Sequence, residues 1–370
     1  MFRFAGIEAL RDEGQVFACD TSANGRARRA YTVREPLRLI AAITPFKHPL
    51  NQVAHKVAPS IATNNVMVLK PTSRTPLSAL YLARLMAEAG LPDGMVTMVT
   101  GDSAEMGSVM WTHPDVELVT LTGGTAIGKR IAAESGYRRT VLVLGGNDPL
   151  IVLRDADLDE AVRLAVAGAF KNSGQRCTAV KRLIVEEPVA DAFAVGLAAA
   201  TARLVVGDPM DPATDIGTVI AEEDAIDLER RMLDAIEAGA ECLTGGERIG
   251  AQITPAVLDH ARPGMELVAE ESFGPFAPIL RVRDLDEAIN AANDQRYGLS
   301  SGVVTNDLRA ITRCVRELRC GTVNIREVPG YRTELTPFGG TKDSGLGIKE
   351  GVLESMRAMT FTKLYTLPTE

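Results

Sequence analysis

Of the side chains able to attack carbon, Cys177 has neighbours suited to the task. It stands in Lys171-Asn172-Ser173-Gly174-Gln175-Arg176-Cys177-Thr178-Ala179. The thiolate is the reactive form of cysteine, and adjacent positive charge lowers a thiol pKa, so Arg176 favours a nucleophile here. Without such surroundings, a free cysteine is more simply a small buried core residue.

Two further places carry residue types suited to a nucleotide. Residues 119–128 read as strand, glycine turn and helix start around Thr122-Gly123-Gly124-Thr125. Such a turn aims backbone N–H groups and a helix dipole at a phosphate. It lacks the GxGxxG spacing, and a tight strand-to-helix turn by itself also calls for glycine. Lys70 ends the apolar run Val68-Leu69-Lys70, where its ammonium can meet a ribose or phosphate or be simply solvated.

These residues need a scaffold, and the hydropathy rhythm from Leu37 onward supplies one. Apolar runs at 37–43, 66–69, 95–99, 116–121 and 141–144 alternate with helical spacing at 49–63, 76–89, 104–111 and 126–135. Strand, helix, strand at this pitch predicts a parallel sheet covered by helices on both faces. Ligands of such doubly wound sheets lie beyond the carboxyl ends of the strands. A second α/β set begins at Asn147. Residues 155–170 have helical spacing and lead straight into the Cys177 loop. Strands are expected at 183–185, 251–257, 277–282, 302–304 and 321–325, and helices at 189–204, 222–238, 285–293 and 308–318. At the ends of the chain, 1–14 reads as a helix with Phe4, Ile7 and Leu10 on one face. Residues 16–18 and 30–33 read as a hairpin, and 361–367 as a strand able to join another subunit's sheet.

The 370 residues suggest two domains. A net charge of −8 with no basic block excludes a nucleic-acid partner, whose phosphates demand clustered Lys and Arg. The five cysteines are scattered and without CxxC spacing, so neither a disulfide framework nor a metal site is expected, and the compartment reads as reducing. No run approaches the roughly 18 apolar residues of a membrane span. Charge interrupts the first residues before any signal-peptide core, so the expected location is the cytoplasm.

Gly123-Gly124-Thr-x-x-Gly128, Leu144-Gly145-Gly146-Asn147, Gly174-Gln175-Arg176-Cys177-Thr178, Glu270-Glu271-Ser272-Phe273-Gly274-Pro275, Tyr297-Gly298-Leu299-Ser300 and Pro337-Phe338-Gly339-Gly340-x-Lys342-x-Ser344-Gly345 occur in this order. Together they resemble the aldehyde dehydrogenase superfamily over essentially the whole chain. Within it, residues 174–182 and 324–340 look most like phosphonoacetaldehyde dehydrogenase. The resemblance implies a Rossmann-type cofactor domain (1–18 and 37–146), an α/β catalytic domain (147–350) and a small β element for oligomerisation (19–36 and 356–367), with a homodimer or homotetramer as the assembly. It implies that Cys177 attacks an aldehyde, that NAD or NADP accepts the hydride, and that water cleaves the resulting thioester. Cofactor contacts carry over to Thr44, Pro45, Lys70, Ser73, Gly123, Gly124, Leu144, Glu271 and Phe273. Ser73, followed by Arg74, stands where relatives often have glutamate, which removes a repulsion against a 2′-phosphate and admits NADP beside NAD. His48, Arg176, Thr178 and Arg332 are the substrate-binding candidates. Arginines suit an anionic aldehyde such as a phosphonate through bidentate pairing. His48 also stands where it could simply cap the helix beginning at Pro49.

Three departures from the family pattern bear on activity. Val143 stands where hydrolytic members carry the glutamate that activates the deacylating water. Lys47 stands where the family has an asparagine that helps hold the oxyanion. The substantial N-terminal helical segment of family members has no counterpart before Met1, which would leave apolar surface exposed on the cofactor domain. Three readings follow: an active dehydrogenase of a small anionic aldehyde, with a variant that passes the acyl group to an acceptor other than water; an impaired homologue that binds nucleotide or a partner without turnover; and a purely structural subunit.

Overall fold

The computed structural model describes residues 1–11 and 13–369, and these form two compact units. The first comprises Met1–Val143, Thr333–Phe338 and the chain from Ile348 onward; the second comprises Leu144–Arg332 and Gly339–Gly347.

The first unit opens with α1 (Phe2–Glu8), β1 (Val16–Ala18) and β2 (Arg28–Pro36). Then follow β3 (Leu39–Ile43), α2 (Pro49–Ala62), β4 (Val66–Lys70), α3 (Leu77–Glu88), β5 (Val96–Met98), α4 (Ser103–Thr112), β6 (Leu118–Thr122), α5 (Thr125–Glu134) and β7 (Arg139–Val143). These make a five-stranded parallel sheet of order β5-β4-β3-β6-β7. Every residue of β6 is buried, as a central parallel strand with both faces covered requires. Ile40, Leu69, Leu118, Val53 and Val57 anchor the core of this unit.

The C-terminal strand Thr360–Pro368 pairs antiparallel with β2 of its own chain, from Thr360 opposite Pro36 to Pro368 opposite Arg28. It thereby completes a three-stranded sheet of order β1, β2, tail, with Tyr31 stacked on Tyr365 at 5.4 Å. Its partner β2 lies 324 or more residues away in sequence, and the tail stands at the edge of the sheet they share. Helix α1 ends at Glu8 rather than near Gly14; Asp12, inside the expected helix, lies outside the described residues. Its buried positions are Ala5 and Glu8, while Ile7 and Leu10 are exposed. The small Ala5 packs beside Ala58 of α2 and Val352, so the seam runs one residue away from the bulky stripe. Helix α3 exposes Leu77, Leu80, Tyr81 and Leu85.

In the second unit the elements are β8 (Asp148–Val152), α6 (Leu158–Phe170), β9 (Val180–Glu186), α7 (Glu187–Thr201), α8 (Glu222–Glu237), β10 (Glu241–Thr244), β11 (Arg248–Ile249), β12 (Gln252–Ile253), β13 (Ala256–Asp259), α9 (Glu266–Ala269), β14 (Phe276–Val282), α10 (Leu285–Asn293), β15 (Tyr297–Gly298), β16 (Ser300–Val304), α11 (Leu308–Glu317), β17 (Thr322–Ile325) and β18 (Thr341–Lys342). Seven strands form one sheet of order β10-β13-β14-β9-β8-β16-β17, parallel except for β10. The sequence reading missed β8, whose Pro149 argues against a central strand, and merged β12 with β13 across Pro255. It also placed the domain boundary after Gly146 and carried the catalytic stretch unbroken to 350. The units instead divide after Val143, and Thr333–Phe338 and Ile348–Glu350 belong to the first. Glu350 is tied there: its backbone pairs with Phe338, and its carboxylate accepts from buried Lys56 of α2 at 2.7 Å. Lys56 Nζ also donates to Thr120 Oγ1 on β6 at 2.8 Å.

This ion pair is almost wholly buried, so removing one member strands the other charge. Lys56→Met should cost about 3–5 kcal/mol in denaturant unfolding, and adding Glu350→Leu should recover most of that. A single variant within about 1 kcal/mol of wild type would contradict the burial.

Candidate active site

Helix α6, capped by the Asp157 carboxylate accepting from Glu160 N–H at 3.1 Å, delivers the chain to the Cys177 loop. Asn172, Ser173 and Gly174 then adopt left-handed conformations in succession, with φ of 59°, 54° and 71°. Two non-glycine residues there cost conformational energy and persist only if surrounding contacts hold them. Ser173 Oγ donates to the Gly217 carbonyl, and Gln175 Nε2 to Asn172 and Thr218 carbonyls; Gln175 Oε1 accepts from Ile220 N–H at 2.8 Å. A Cβ on Gly174 would lie 2.0 Å from the Gly274 carbonyl oxygen, so this backbone approach admits only glycine. Cys177 emerges from the turn 9% exposed, three residues before β9 begins.

Arg176, Thr178 and the segment before Arg332 come together: a Cβ on Gly330 would collide with the Arg176 guanidinium and the Thr178 hydroxyl. Burial lowers the Arg176 pKa from its ordinary value, opposed by the charges of Cys177 and Asp148. The loop facing Arg176 is clamped by Asn324, whose Nδ2 donates to the carbonyls of Val328, Pro329 and Tyr331 at 2.9, 3.2 and 3.1 Å. Arg332 is half-buried one residue later.

Glu271 and Phe273 gather at Lys181, a buried residue of β9. Lys181 Nζ donates to the carbonyls of Gly146 and Cys177, each at 2.8 Å, and lies 3.3 Å from Glu271 Oε1. It also stands 5.2 Å from the centroid of the Phe273 ring. Glu271 Oε1 accepts the Gly146 N–H at 2.9 Å. Leu144 N–H donates to the Ser344 carbonyl. Asp148 is fully buried, its Oδ1 accepting Ser300 N–H at 3.1 Å, and burial pushes its carboxyl up to about 7 against the opposing charge of Lys181.

The remaining candidates belong to the first unit. Thr44 follows β3, and its N–H donates to the carbonyl of Lys70, the last residue of β4, at 3.2 Å. Both side chains are buried. Pro45 is half-buried and Lys47 buried; Ser73 and Arg74 are exposed on the loop after β4. His48 stands at the N-cap position of α2, as the capping alternative expects, with φ 50° and no side-chain cap hydrogen bond. Gly123 N–H donates to the Val143 carbonyl at 3.1 Å, and Gly124 is the N-cap of α5 with nothing within 4 Å of where its Cβ would stand. Val143 is 1% exposed at the end of β7, beside Thr122.

The sequence pattern of the aldehyde dehydrogenase family matches residues 1–365. The chain belongs to this family. It is 39% identical over 360 residues to 3-sulfolactaldehyde dehydrogenase of Priestia megaterium, covering 97% of this chain and 75% of the relative. It is 37% identical over 356 residues to sulfoacetaldehyde dehydrogenase of Neptuniibacter caesariensis, covering 96% and 78%. Among solved structures, NADP-dependent glyceraldehyde-3-phosphate dehydrogenase from Bacillus halodurans C-125, complexed with NADP, superposes with a TM-score of 0.96 at 38% identity, covering 100% of this chain and 77% of that one. The α/β aldehyde dehydrogenase fold and membership of an NAD(P)-dependent enzyme family thus hold for this chain. The narrower likeness to phosphonoacetaldehyde dehydrogenase finds no counterpart in the sulfonated substrates named for these two relatives. Among the described residues no helix is long and apolar enough to cross a membrane, no cluster of His, Cys, Asp and Glu could hold a metal, and all five cysteines are free.

The first unit fits a dinucleotide. Gly124 leaves open space at the start of α5, where helix N-terminal N–H groups and the dipole favour phosphate, and Lys70 ends β4 of the same sheet. Sequence reasoning passed over Lys181, Asp148, Gln175 and Asn324. A signal existed for the first: Lys181-Arg182 interrupts an otherwise apolar strand, and all seven residues of β9 are buried.

Because the folded chain binds the Asp148 proton more tightly than the unfolded chain, this group's contribution to stability is complete below about pH 4 and is lost as pH rises to about 7. Asp148→Asn keeps an acceptor for Ser300 and removes that slope. Urea unfolding from pH 5 to 7 should show the variant gaining on wild type by up to about 1.4 kcal/mol per pH unit; parallel curves would refute the assignment.

Proposed function

We propose that this aldehyde dehydrogenase oxidises a small aldehyde bearing a strongly acidic group, a sulfonate or the analogous phosphonate, through covalent catalysis by Cys177. The observation that carries this reading is Arg176: a guanidinium largely removed from water, electrostatically coupled to Cys177 and packed with Thr178 against Gly330. A desolvated guanidinium holds a tetrahedral oxyanion bidentately, fixing orientation as well as charge. The relatives named for sulfonated aldehydes agree with that charge requirement.

In this reading the Cys177 thiolate adds to the aldehyde carbon, and Arg176, with Arg332, Thr178 and His48, holds the anionic end. Lys47 would serve as an ammonium donor to the oxyanion in place of an amide. Thr44, Pro45, Lys70, Ser73, Gly123, Gly124, Leu144, Glu271 and Phe273 would hold the dinucleotide, which would supply a nicotinamide to take up a hydride, one proton with two electrons, from the adduct. The chain assembles as a homodimer or homotetramer through the edges of the three-stranded sheet.

A second reading concerns the acyl group. The Val143 side chain offers neither a proton acceptor nor a hydrogen bond, so in this reading water attack on the thioester lacks its general-base assistance, an effect typically worth about 10²–10⁴ in rate. Transfer to a thiol or phosphate acceptor is then favoured over hydrolysis.

Two measurements test these readings. With saturating NADP or NAD, Arg176→Met should lower kcat/KM for sulfoacetaldehyde or phosphonoacetaldehyde about 10²-fold or more while changing that for an uncharged aldehyde far less, since a charge-assisted bidentate contact is lost. Equal losses on both would remove the anionic-substrate reading, and turnover by Cys177→Ala would remove the nucleophile. In a rapid-mix trace of reduced nicotinamide, wild type should show a burst near one equivalent per site and then slow turnover, accelerated by added thiol. Val143→Glu should raise the slow phase on the order of 10²-fold. A wild-type trace linear from the first turnover would show that deacylation is not impeded.

A further inference from the structure

Lys181 has no part in the roles assigned so far, yet its ammonium is fully engaged. Three protons are available, and three acceptors stand around it: the carbonyl of Gly146, the carbonyl of Cys177 and Oε1 of Glu271. Only 4% of the side chain is exposed. Pinning two backbone carbonyls needs no charge, because the two N–H donors of a side-chain amide would serve. A buried cation adds an electrostatic hold on a carboxylate and a field at the residue whose carbonyl it grips.

Its acceptors belong to the two sides of the chemistry. Cys177 is the nucleophile, and Glu271, with Phe273 5.2 Å away over the same ammonium, is assigned to the nicotinamide ribose. On Glu271 both anchors, the Lys181 ammonium and the Gly146 N–H, fall on Oε1. The lone pairs of that oxygen are thereby used, and Oε2 is the one left to accept ribose hydroxyl protons. Gly146 completes the knot: a Cβ there would stand 2.8 Å from the Cys177 carbonyl oxygen and 3.0 Å from Asp148 Oδ1.

We propose that Lys181 is a positioning residue for the reaction, its ammonium locking the backbone of the nucleophile to the carboxylate of Glu271. This rests on the reading of Cys177 as nucleophile and Glu271 as ribose ligand. The charged groups bearing on the cluster are Arg176, Lys181, Arg182, Asp148 and Glu271.

The test uses the full chain with Lys181→Met, Lys181→Arg, Glu271→Gln and the Lys181→Met/Glu271→Gln pair. NADP and NAD affinities are measured by calorimetry, and the rate of Cys177 alkylation by iodoacetamide is followed against pH by mass spectrometry without nucleotide. Lys181→Met should weaken nucleotide binding about tenfold and alter the alkylation profile, because the ammonium that grips the Cys177 carbonyl is lost. Lys181→Arg should restore the profile, which mere loss of packing would not explain. The double variant should bind nucleotide no worse than Glu271→Gln alone, as expected for residues acting in series. Additive affinity losses, or an alkylation profile coincident with wild type, would overturn the proposal. Should Glu271→Gln by itself leave affinity unchanged, the ribose reading fails, and the alkylation profile still decides whether Lys181 governs Cys177.

Discussion

The Cys177 loop is set by backbones that pass closer than side chains allow. Gly174 faces the Gly274 carbonyl, Gly146 faces the carbonyl of Cys177, and Gly330 faces Arg176 and Thr178. Each contact joins the Cys177 loop to a different segment, and each would be lost to a single Cβ. The first draws residues 270–275, with Glu271 and Phe273, onto the loop. The second seats the Gly145-Gly146 turn beneath it, and the third brings the segment before Arg332 to its arginine. Such approaches are positional constraints rather than sources of affinity. What they provide is a small volume in which Cys177, Arg176, Lys181, Asp148 and Glu271 feel one another strongly.

That crowding explains the electrostatics. Burial disfavours charge on Arg176 and on Asp148, and the neighbours that oppose it are the same few groups: Cys177 and Asp148 for the arginine, Lys181 and Arg182 for the aspartate. Buried cations of this kind are stabilised by anions close by, because an anion replaces part of the lost hydration. Fixed charges held in a low-dielectric setting need no reorganisation when charge develops during reaction. The left-handed turn at residues 172–174 is costly in isolation, and the bonds from Ser173 and Gln175 to residues 217–220 offset it.

The sheets were legible where hydropathy alternated cleanly with helical spacing, as from β3 to β7, and the glycine turn at Gly123-Gly124 was read at its true place. In the first unit the candidate residues Thr44, Lys70 and Gly123 end or follow their strands. In the second unit Gly146, Cys177 and Gly274 all precede parallel strands β8, β9 and β14, so that site uses the amino ends of its sheet. Nothing in periodicity distinguishes one end of a strand from the other. Cys177 itself was visible through Arg176 and Gly174. Lys181 and Asp148 were not singled out, because a charge in a buried run has meaning only when its acceptors are known, and those come from residues 35 and 90 positions away for Lys181. The pairing of the tail with β2 and of Glu350 with Lys56 was hidden for the same reason: each joins segments almost 300 or more residues apart.

Val143 shows how such a site can keep half of a reaction. Forming the thioester asks for a nucleophile, a hold on the substrate's charge and an acceptor for the electrons, and none of these involves position 143. Cleaving it asks for an activated acceptor. With valine at the end of β7, packed beside Thr122 and 1% exposed, that activation must come with the acceptor itself. A thiol meets this requirement through its own acidity, since a few per cent of thiolate near neutral pH is already a strong nucleophile, whereas water is not. On the proposed reading, the lack of that base would lengthen the life of the acyl-enzyme and pass selection between acceptors from base catalysis to intrinsic nucleophilicity.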